Sequence, residues 1–213
     1  LNSEIDFDQL IHYLDKAALF AGQWQMKRTR GQSKSDHNKF IKETAEPILD
    51  KWLNIIKDKG LFNPSAVYGY FPCGSKGNSL DIFDSNYNKL GEFLFPRQRS
   101  GKRLCIADYY HDLVNSLPKD LLPMQAVTMG SKVSEYSKTL FEQNQYTDYL
   151  YFHGLTVQLA EACAELVHAR IRIECGFENE EPINNKDILA QKYRGCRFSF
   201  GYPACPNVSD SRQ

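Results

Sequence analysis

The sequence predicts an α+β fold in which an antiparallel, twisted sheet is flanked by helices. Three short runs of β-type composition, at 66–71, 79–83 and 90–95, are separated by turns too short to hold a crossover helix, which favours antiparallel pairing. The segments before and after them carry apolar residues at helical spacing. A chain of 213 residues suits one large domain and can bury about 70% of its unfolded surface.

Two helices are predicted before the sheet. The first has Asp6 as its cap, and its apolar positions are Phe7, Leu10, Ile11, Leu14 and Ala18. The second carries an apolar stripe over 40–56 and ends at Gly60. Pro47 lies inside this second helix and should kink it or divide it.

The sheet region and the segments after it follow in order. Turns are predicted at 74–78 and 85–88, and two further strands at 104–110 and 124–129. Helices are predicted over 131–143, from 147 or 148 towards 175, and over 184–192. The long helix should bury a core side formed by Leu155, Leu159, Ala162, Leu166 and Ile173. A last helix should begin after Pro206, with Ser209 or Asp210 as its cap.

Composition limits the partners and the compartment. The 26 basic and 26 acidic residues cancel, which argues against a nucleic acid or a polybasic membrane surface as partner. No apolar run reaches transmembrane length, and the N-terminus has no signal pattern. The six cysteines show no spacing typical of zinc ligands, so we expect reduced thiols and a cytoplasmic protein. Because the chain lacks an initiator Met, we expect an excised or processed piece.

The segment 194–206 predicts an extended loop with a fixed backbone. It contains two glycines and two prolines within thirteen residues, which excludes a helix and disfavours a central strand. Gly201 allows a close approach to the main chain. Arg197 supplies a cation suited to a carboxylate, and Tyr202 supplies a flat ring. The residues alone leave two interpretations open: a binding wall for a small zwitterion, or a structural loop whose rings pack on the core.

Arg197 followed by the hexapeptide Gly-Tyr-Pro-Ala-Cys-Pro at 201–206 resembles the signature of the activation domain of cobalamin-dependent methionine synthase. Further stretches resemble the same domain in family order: 18–24, 67–72, 104–108, 127–130 and 159–162. The resemblance therefore covers essentially the whole chain as a single domain, 1–213. In the family another segment follows the hexapeptide and completes the sheet and the ligand site, so the sequence reads as truncated at its C-terminus.

The resemblance implies an S-adenosylmethionine-binding domain that supports reductive methylation of oxidised cobalamin and so reactivates the enzyme in methionine biosynthesis. The implied partners are the cobalamin-binding domain and a flavodoxin-like or flavoprotein electron donor. Arg197 would hold the ligand carboxylate, and Asp15 and Glu161 would hold its cationic parts. The remaining implied contacts, from the loop backbone and one ring, are Gly201, Tyr202, Pro203, Ala204 and Cys205. No catalytic residue and no metal ligand is implied.

Two other functions remain open: a self-contained S-adenosylmethionine-dependent methyltransferase, and a non-catalytic module that docks a partner domain. The first lacks a glycine-rich loop after an initial strand.

Two further clusters have structural explanations. Glu161, Glu165, His168 and Arg172 share one helix face, which suits a salt-bridged surface better than a di-metal site. The basic cluster at 97–103 is typical of a solvent-exposed connecting loop, or of a surface that binds an acidic redox partner.

Overall fold

The computed structural model describes residues 5–212, which fall into two compact units. The first unit comprises the described part of Leu1–Val67 together with Ala126–Arg194. The second comprises Tyr68–Gln125 and the described part of Gly195–Gln213. Within the described ranges, no helix combines the length and the apolar character needed to cross a membrane.

Helices make up most of the first unit. Their bounds are α1 Phe7–His12, α2 Lys16–Ala18, α3 Lys34–Phe40, α4 Glu46–Asp58, α5 Ser131–Glu142, α6 Tyr146–Glu174 and α7 Asn185–Leu189. Two π-helical turns, Leu19–Gln23 and Ile41–Ala45, follow α2 and α3 directly. Three predicted helices are therefore confirmed, with bounds that differ by a few residues: those over 131–143, from 147 or 148 towards 175, and over 184–192.

The first predicted helix is divided. Asp6 caps it as predicted, since its carboxylate accepts the Gln9 N–H at 2.8 Å. The helix ends at the C-cap Tyr13, and Asp15 begins a new one by accepting the Ala18 N–H at 2.8 Å. A single helix over 7–18 was therefore wrong, because the Asp15 side chain competes for the main-chain donors of the next turn.

The second predicted helix is not broken at Pro47. The chain stays in helical geometry through α3, a π-helical turn and α4, and Pro47 lies just after the π-helical turn, in the first turn of α4. The change of helix type next to Pro47 accommodates its missing N–H. Gly60 ends α4 with φ 59°. Its N–H donates to Lys57 O at 3.0 Å, and the Leu61 N–H donates to Ile56 O at 2.9 Å. This is a Schellman ending, and the predicted stop is confirmed.

Four strands form one sheet in the order β3-β2-β1-β4: β1 Ser65–Lys76, β2 Ser79–Phe83, β3 Lys89–Leu94 and β4 Asp120–Thr128. Neighbours β1 and β2, and β2 and β3, pair antiparallel, as predicted. The first hairpin turn contains only Gly77 and Asn78, because Lys76 pairs with Ser79. The predicted turn over 74–78 was therefore too long.

The strand predicted over 104–110 is wrong. Ile106–Tyr109 form a 3-10 helix instead. The Asp108 carboxylate accepts the Cys105 N–H at 2.9 Å and two hydrogen bonds from Arg97, at 2.6 and 2.7 Å. These local side-chain bonds replace the ladder that a strand would need. Cys105 and its neighbours still point into an apolar core, which explains the β-like hydrophobic pattern.

Two smaller predictions also fail. Ile173, placed on the core side of α6, is 49% exposed because it lies in the last turn of the helix. The other four predicted core positions of α6 are buried.

After Pro206 the chain forms a 3-10 helix, Val208–Arg212. Its cap is Asn207, whose side chain accepts the Ser209 N–H at 3.2 Å, and not Ser209 or Asp210.

Candidate functional site

The loop over 194–206 contains no helix or strand, as predicted. Its second half is closed by main-chain hydrogen bonds: the Gly201 N–H donates to Cys205 O at 2.9 Å, and the Cys205 N–H donates to Tyr202 O at 3.0 Å. Gly201 has φ 96°, and a Cβ there would lie 3.3 Å from Val208 Cγ2. Both the conformation and the space favour glycine. The hexapeptide is therefore a tight turn with a defined backbone path.

Cys205 anchors this turn in the core of the second unit. It is 5% exposed and belongs to the apolar cluster that contains Cys73 and Leu80. Its Sγ donates to Ser199 O at 2.9 Å, and burial raises the pKa of the thiol, which keeps it protonated at neutral pH. Phe200 packs beside it, 5.5 Å from the Phe93 ring. The thiol therefore holds the loop in place and is not an activated nucleophile.

The loop turns a different set of groups towards solvent. The Tyr202 ring is 63% exposed and the Phe198 ring is 48% exposed. Pro203 is also exposed, whereas Ala204 and Arg197 are half-buried. The structural-loop interpretation thus holds for Cys205 and Phe200, whose side chains pack inward. Arg197, Tyr202 and the Gly201 main chain keep the chemistry expected of a binding wall.

The other two predicted site residues lie in the first unit. Asp15 is half-buried and acts as the N-cap of α2, a structural role that periodicity alone did not predict. Glu161 is exposed on α6. The structure therefore brings Arg197 and Gly201 to Cys205 together in the second unit and places the two predicted carboxylates in the first.

Each unit also contains an open cavity of about 580 Å³. The cavity in the first unit lies beside α5 and α6, and its polar lining includes Ser137 and His153. The cavity in the second unit is lined by Ser75, Arg97 and Asp108, among others. None of the eight predicted ligand residues lines either cavity. The candidate site is therefore argued from the loop and its motif.

The basic cluster at 97–103 is organised around one structural ion pair. Arg97 donates to both carboxylate oxygens of Asp108, to Arg103 O and to Asn78 Oδ1, at 2.6–2.9 Å. The hydrogen bonds from Arg97 lower the pKa of Asp108, so the carboxylate stays ionised. Arg97 therefore stabilises the conformation of this connecting loop, which favours a structural role for the basic cluster over a docking site.

The predicted polar face of α6 is an ion-paired cluster in the first unit. Arg172 is 3% exposed and contacts Glu165, His168 and Glu181. Three of the four residues that the sequence placed on this face belong to the cluster, and the sequence did not identify Glu181, which comes from the segment after α6. Within residues 5–212, no group of His, Cys, Asp and Glu is arranged to hold a metal ion.

Comparison with known proteins identifies the family. A sequence profile described as "Vitamin B12 dependent methionine synthase, activation domain" matches residues 6–213. The chain belongs to this family. The resemblance carried by the loop motif is thereby confirmed.

Two curated relatives are both named methionine synthase. The protein of Mycobacterium tuberculosis (strain ATCC 25618 / H37Rv) is 39% identical over 210 residues, which cover 92% of this chain and 18% of the relative. That of Mycobacterium leprae (strain TN) is 38% identical over 211 residues, which cover 93% and 18%. This methionine synthase activation domain thus spans 18% of the length of these relatives.

A solved structure has the same fold. The structure described as "Crystal Structure of the MetH Reactivation Domain bound to AdoHcy" superposes with a TM-score of 0.83 at 23% identity. The match covers 100% of this chain and 67% of that chain. The predicted α+β fold of a methionine synthase activation domain is confirmed.

Proposed function

We propose that this activation domain binds S-adenosylmethionine and presents its methyl group to cobalamin held by a neighbouring domain. The proposal rests on the family match over 6–213, which includes the arginine and the hexapeptide of the exposed loop. It is supported by the solved relative, which is described as a reactivation domain bound to AdoHcy. AdoHcy is the thioether that remains when S-adenosylmethionine has lost its methyl group.

The groups of this chain suit such a ligand chemically. The Arg197 guanidinium would hold the ligand carboxylate, and the carboxylates of Asp15 and Glu161 would face its ammonium and sulfonium charges. Gly201, with no side chain and φ 96°, would let the ligand approach the main chain of the turn up to Cys205. The exposed Tyr202 ring would stack on a flat group such as adenine, with Pro203 and Ala204 beside it.

For the proposed methyl transfer, this chain needs only to bind and orient S-adenosylmethionine. A neighbouring domain would hold the cobalamin, which would supply the nucleophile for the methyl group, and a flavodoxin-like or flavoprotein donor would supply the electron. The thioether leaves as a neutral molecule, so no residue here has to donate or accept a proton. The domain must hold the methyl carbon in line with its acceptor and keep water away from it.

The setting proposed for this reaction is the complete methionine synthase, acting in the cytoplasm. The six cysteines are free, and four of them are buried: Cys73, Cys105, Cys163 and Cys205. Free thiols are typical of a reducing compartment. The cobalamin-binding domain would be a covalent neighbour in the longer protein, and the electron donor a separate partner.

Calorimetric titration with S-adenosylmethionine tests the proposal. The native chain should bind saturably, and Arg197→Ala should weaken binding by about 1.5–3 kcal/mol, the usual contribution of a charge-assisted hydrogen bond. Arg28→Ala, which removes an exposed arginine far from the motif in sequence, should bind like the native chain. An unchanged affinity in folded Arg197→Ala would remove Arg197 from the site.

Asp15 needs a test that separates its two roles. Asparagine caps a helix as well as aspartate does, so Asp15→Asn should keep the hydrogen bond to Ala18 and the native melting temperature. The loss of charge should nevertheless weaken S-adenosylmethionine binding by about 1 kcal/mol or more. Asp15→Ala should lower both stability and affinity. If Asp15→Asn binds normally, Asp15 is a helix cap and not a ligand contact.

A further inference from the structure

Arg172 lies at the centre of a buried ion cluster in the first unit. We define the Arg172 cluster as Glu165, His168, Arg172, Glu181 and Tyr193. The guanidinium binds Glu181 in a bidentate manner, with Nη2 donating to Oε2 at 2.8 Å and Nε donating to Oε1. Nη1 lies 3.3 Å from Glu165 Oε1 and donates to His168 Nδ1 at 2.6 Å. The guanidinium also stacks on the Tyr193 ring, 3.6 Å from its centroid.

The cluster is charged although it is buried. Burial opposes the ionisation of Glu165, but the contacts with His168 and Tyr193 and the charge of Arg172 outweigh it and lower its pKa to about 2. A buried ion pair adds little stability beyond that of well-packed apolar residues of the same volume. What bidentate and stacked contacts do supply is one defined geometry. The arrangement therefore points to a positioning role.

Two chain segments meet at this cluster, and each also leads to a predicted ligand contact. Glu165 follows Glu161 by four residues on α6, about one helical turn. Tyr193 precedes Arg197 by four residues. Burial and the charge of Glu181 also raise the pKa of Tyr13, which precedes Asp15 by two residues. The cluster thus lies within four residues in sequence of two of the three charged ligand contacts, Glu161 and Arg197.

The segment after α6 is tied down at several points before the ligand loop begins. Glu181 and Tyr193 are held by Arg172. Arg194, the last residue of the first unit, pairs with Glu180 at 2.8 Å and lies over the Phe177 ring, 4.7 Å from its centroid. The residues directly before the ligand loop, which starts at Gly195, are therefore held by side-chain contacts within the first unit.

We propose that Arg172 and Glu181 are positioning residues for the S-adenosylmethionine site. They hold the 181–194 segment on α6, and this segment leads directly into the loop that carries Arg197 and the hexapeptide. Neither residue touches the ligand in this proposal. The inference rests on the proposed function, because it concerns the affinity of that same site.

Glu181→Gln tests the inference with little change of shape. The variant keeps the side-chain volume but loses the charge that pairs with Arg172. We expect roughly tenfold weaker S-adenosylmethionine binding, since a small displacement of binding groups is costly. We also expect roughly tenfold faster amide hydrogen exchange in peptides covering 195–206 of the ligand-free protein.

Two controls separate positioning from general stability. Glu142→Gln removes the same charge from an exposed ion pair with Lys138, 3.6 Å long, on α5, and should change neither measurement. Leu140→Ala removes a buried side chain of α5 that is 4% exposed; it should lower the melting temperature but leave affinity and loop exchange as in the native chain. Arg172→Lys keeps the charge without the planar fork, so its affinity should fall between the native and Glu181→Gln values.

The outcomes are distinguishable. If the native chain binds S-adenosylmethionine and folded Glu181→Gln binds it equally well, with unchanged exchange in 195–206, the positioning role is refuted while the proposed function stands. If Leu140→Ala weakens binding as much as Glu181→Gln does at an equal loss of melting temperature, the effect is general stability and the positioning role is again refuted. If the native chain does not bind S-adenosylmethionine, the proposed function itself fails, and the inference fails with it.

Discussion

Gly154 lies in the buried face of α6, where there is no room for a side chain. A Cβ added there would lie 2.8 Å from Gln23 Cβ and 3.2 Å from Trp24 Cδ1. Gln23 Cβ is attached directly to the main chain, and the Trp24 ring is buried, with its Nε1 donating to Tyr151 O at 3.0 Å. Neither neighbour can move without shifting the π-helical turn Leu19–Gln23 or breaking this hydrogen bond.

The expected sign of Gly154→Ala depends on two opposing effects. Replacing glycine by alanine inside a helix normally stabilises it by about 1 kcal/mol. Optimal carbon–carbon separation is about 3.5–4.0 Å, so the 2.8 Å contact with Gln23 is short by about 0.7 Å or more. Overpacking of this kind costs about 1–3 kcal/mol. We therefore expect a net loss of up to about 2 kcal/mol in the free energy of unfolding, or up to about 8 °C in melting temperature.

Urea unfolding followed by tryptophan fluorescence measures this loss. The chain has two tryptophans, Trp24 and Trp52, and both belong to the first unit, so the signal reports on the unit that carries the change. Gly22→Ala is the matched control: among the described residues, nothing lies within 4 Å of a Cβ built at Gly22. It should be neutral or stabilising by up to about 1 kcal/mol. If Gly154→Ala stabilises the chain as Gly22→Ala does, the packing argument is wrong.

Three further predictions follow from local electrostatics and burial. The folded pKa of Glu165 is lowered to about 2, so its ionised form stabilises the fold above the ordinary pKa near 4.5, and this contribution disappears as the pH falls towards 2. Glu165→Gln should therefore reduce the loss of urea stability over this pH range by about 3 kcal/mol, since each pKa unit corresponds to about 1.4 kcal/mol. Asp6→Ala removes the bond to Gln9 and should cost about 1 kcal/mol in thermal unfolding, whereas Asp6→Asn should not. In timed alkylation read by mass spectrometry, exposed Cys196 should react well before Cys73 and Cys163, whose pKa values burial raises to about 12 and about 11; equal rates would contradict their burial.

The prediction from sequence was best where the signal is local. Strand β2 has the predicted bounds, 79–83, and α5 ends one residue before its predicted end, because alternation and helical periodicity are repeated over each of these segments. Asp6 and Gly60 were identified as a cap and a stop because their roles depend on main-chain groups only a few residues away. The irregular course of the 194–206 loop followed from its glycines and prolines in the same way.

The same reasoning failed where side chains overrode the local pattern. Cys105 lies in an apolar run that predicts a strand, but Arg97 and Asp108 fold it into a 3-10 helix. The apolar spacing from Phe7 to Ala18 predicted one continuous helix, yet Asp15 starts a new one. Both outcomes depend on which hydrogen-bonding partner wins, and periodicity carries no information about that competition.

The sequence by itself determined the class of fold, most of the element types and, through the rare hexapeptide after Arg197, the family. Those properties follow from residue spacing along the chain and from a short ordered motif. Only the tertiary structure decided that Glu181 and Tyr193 meet Arg172 in a buried cluster, that Cys205 points into a core and that Gly154 lies against Trp24. These contacts join residues that packing brings together from different segments, and packing depends on side-chain shape and burial, which no single stretch of sequence records.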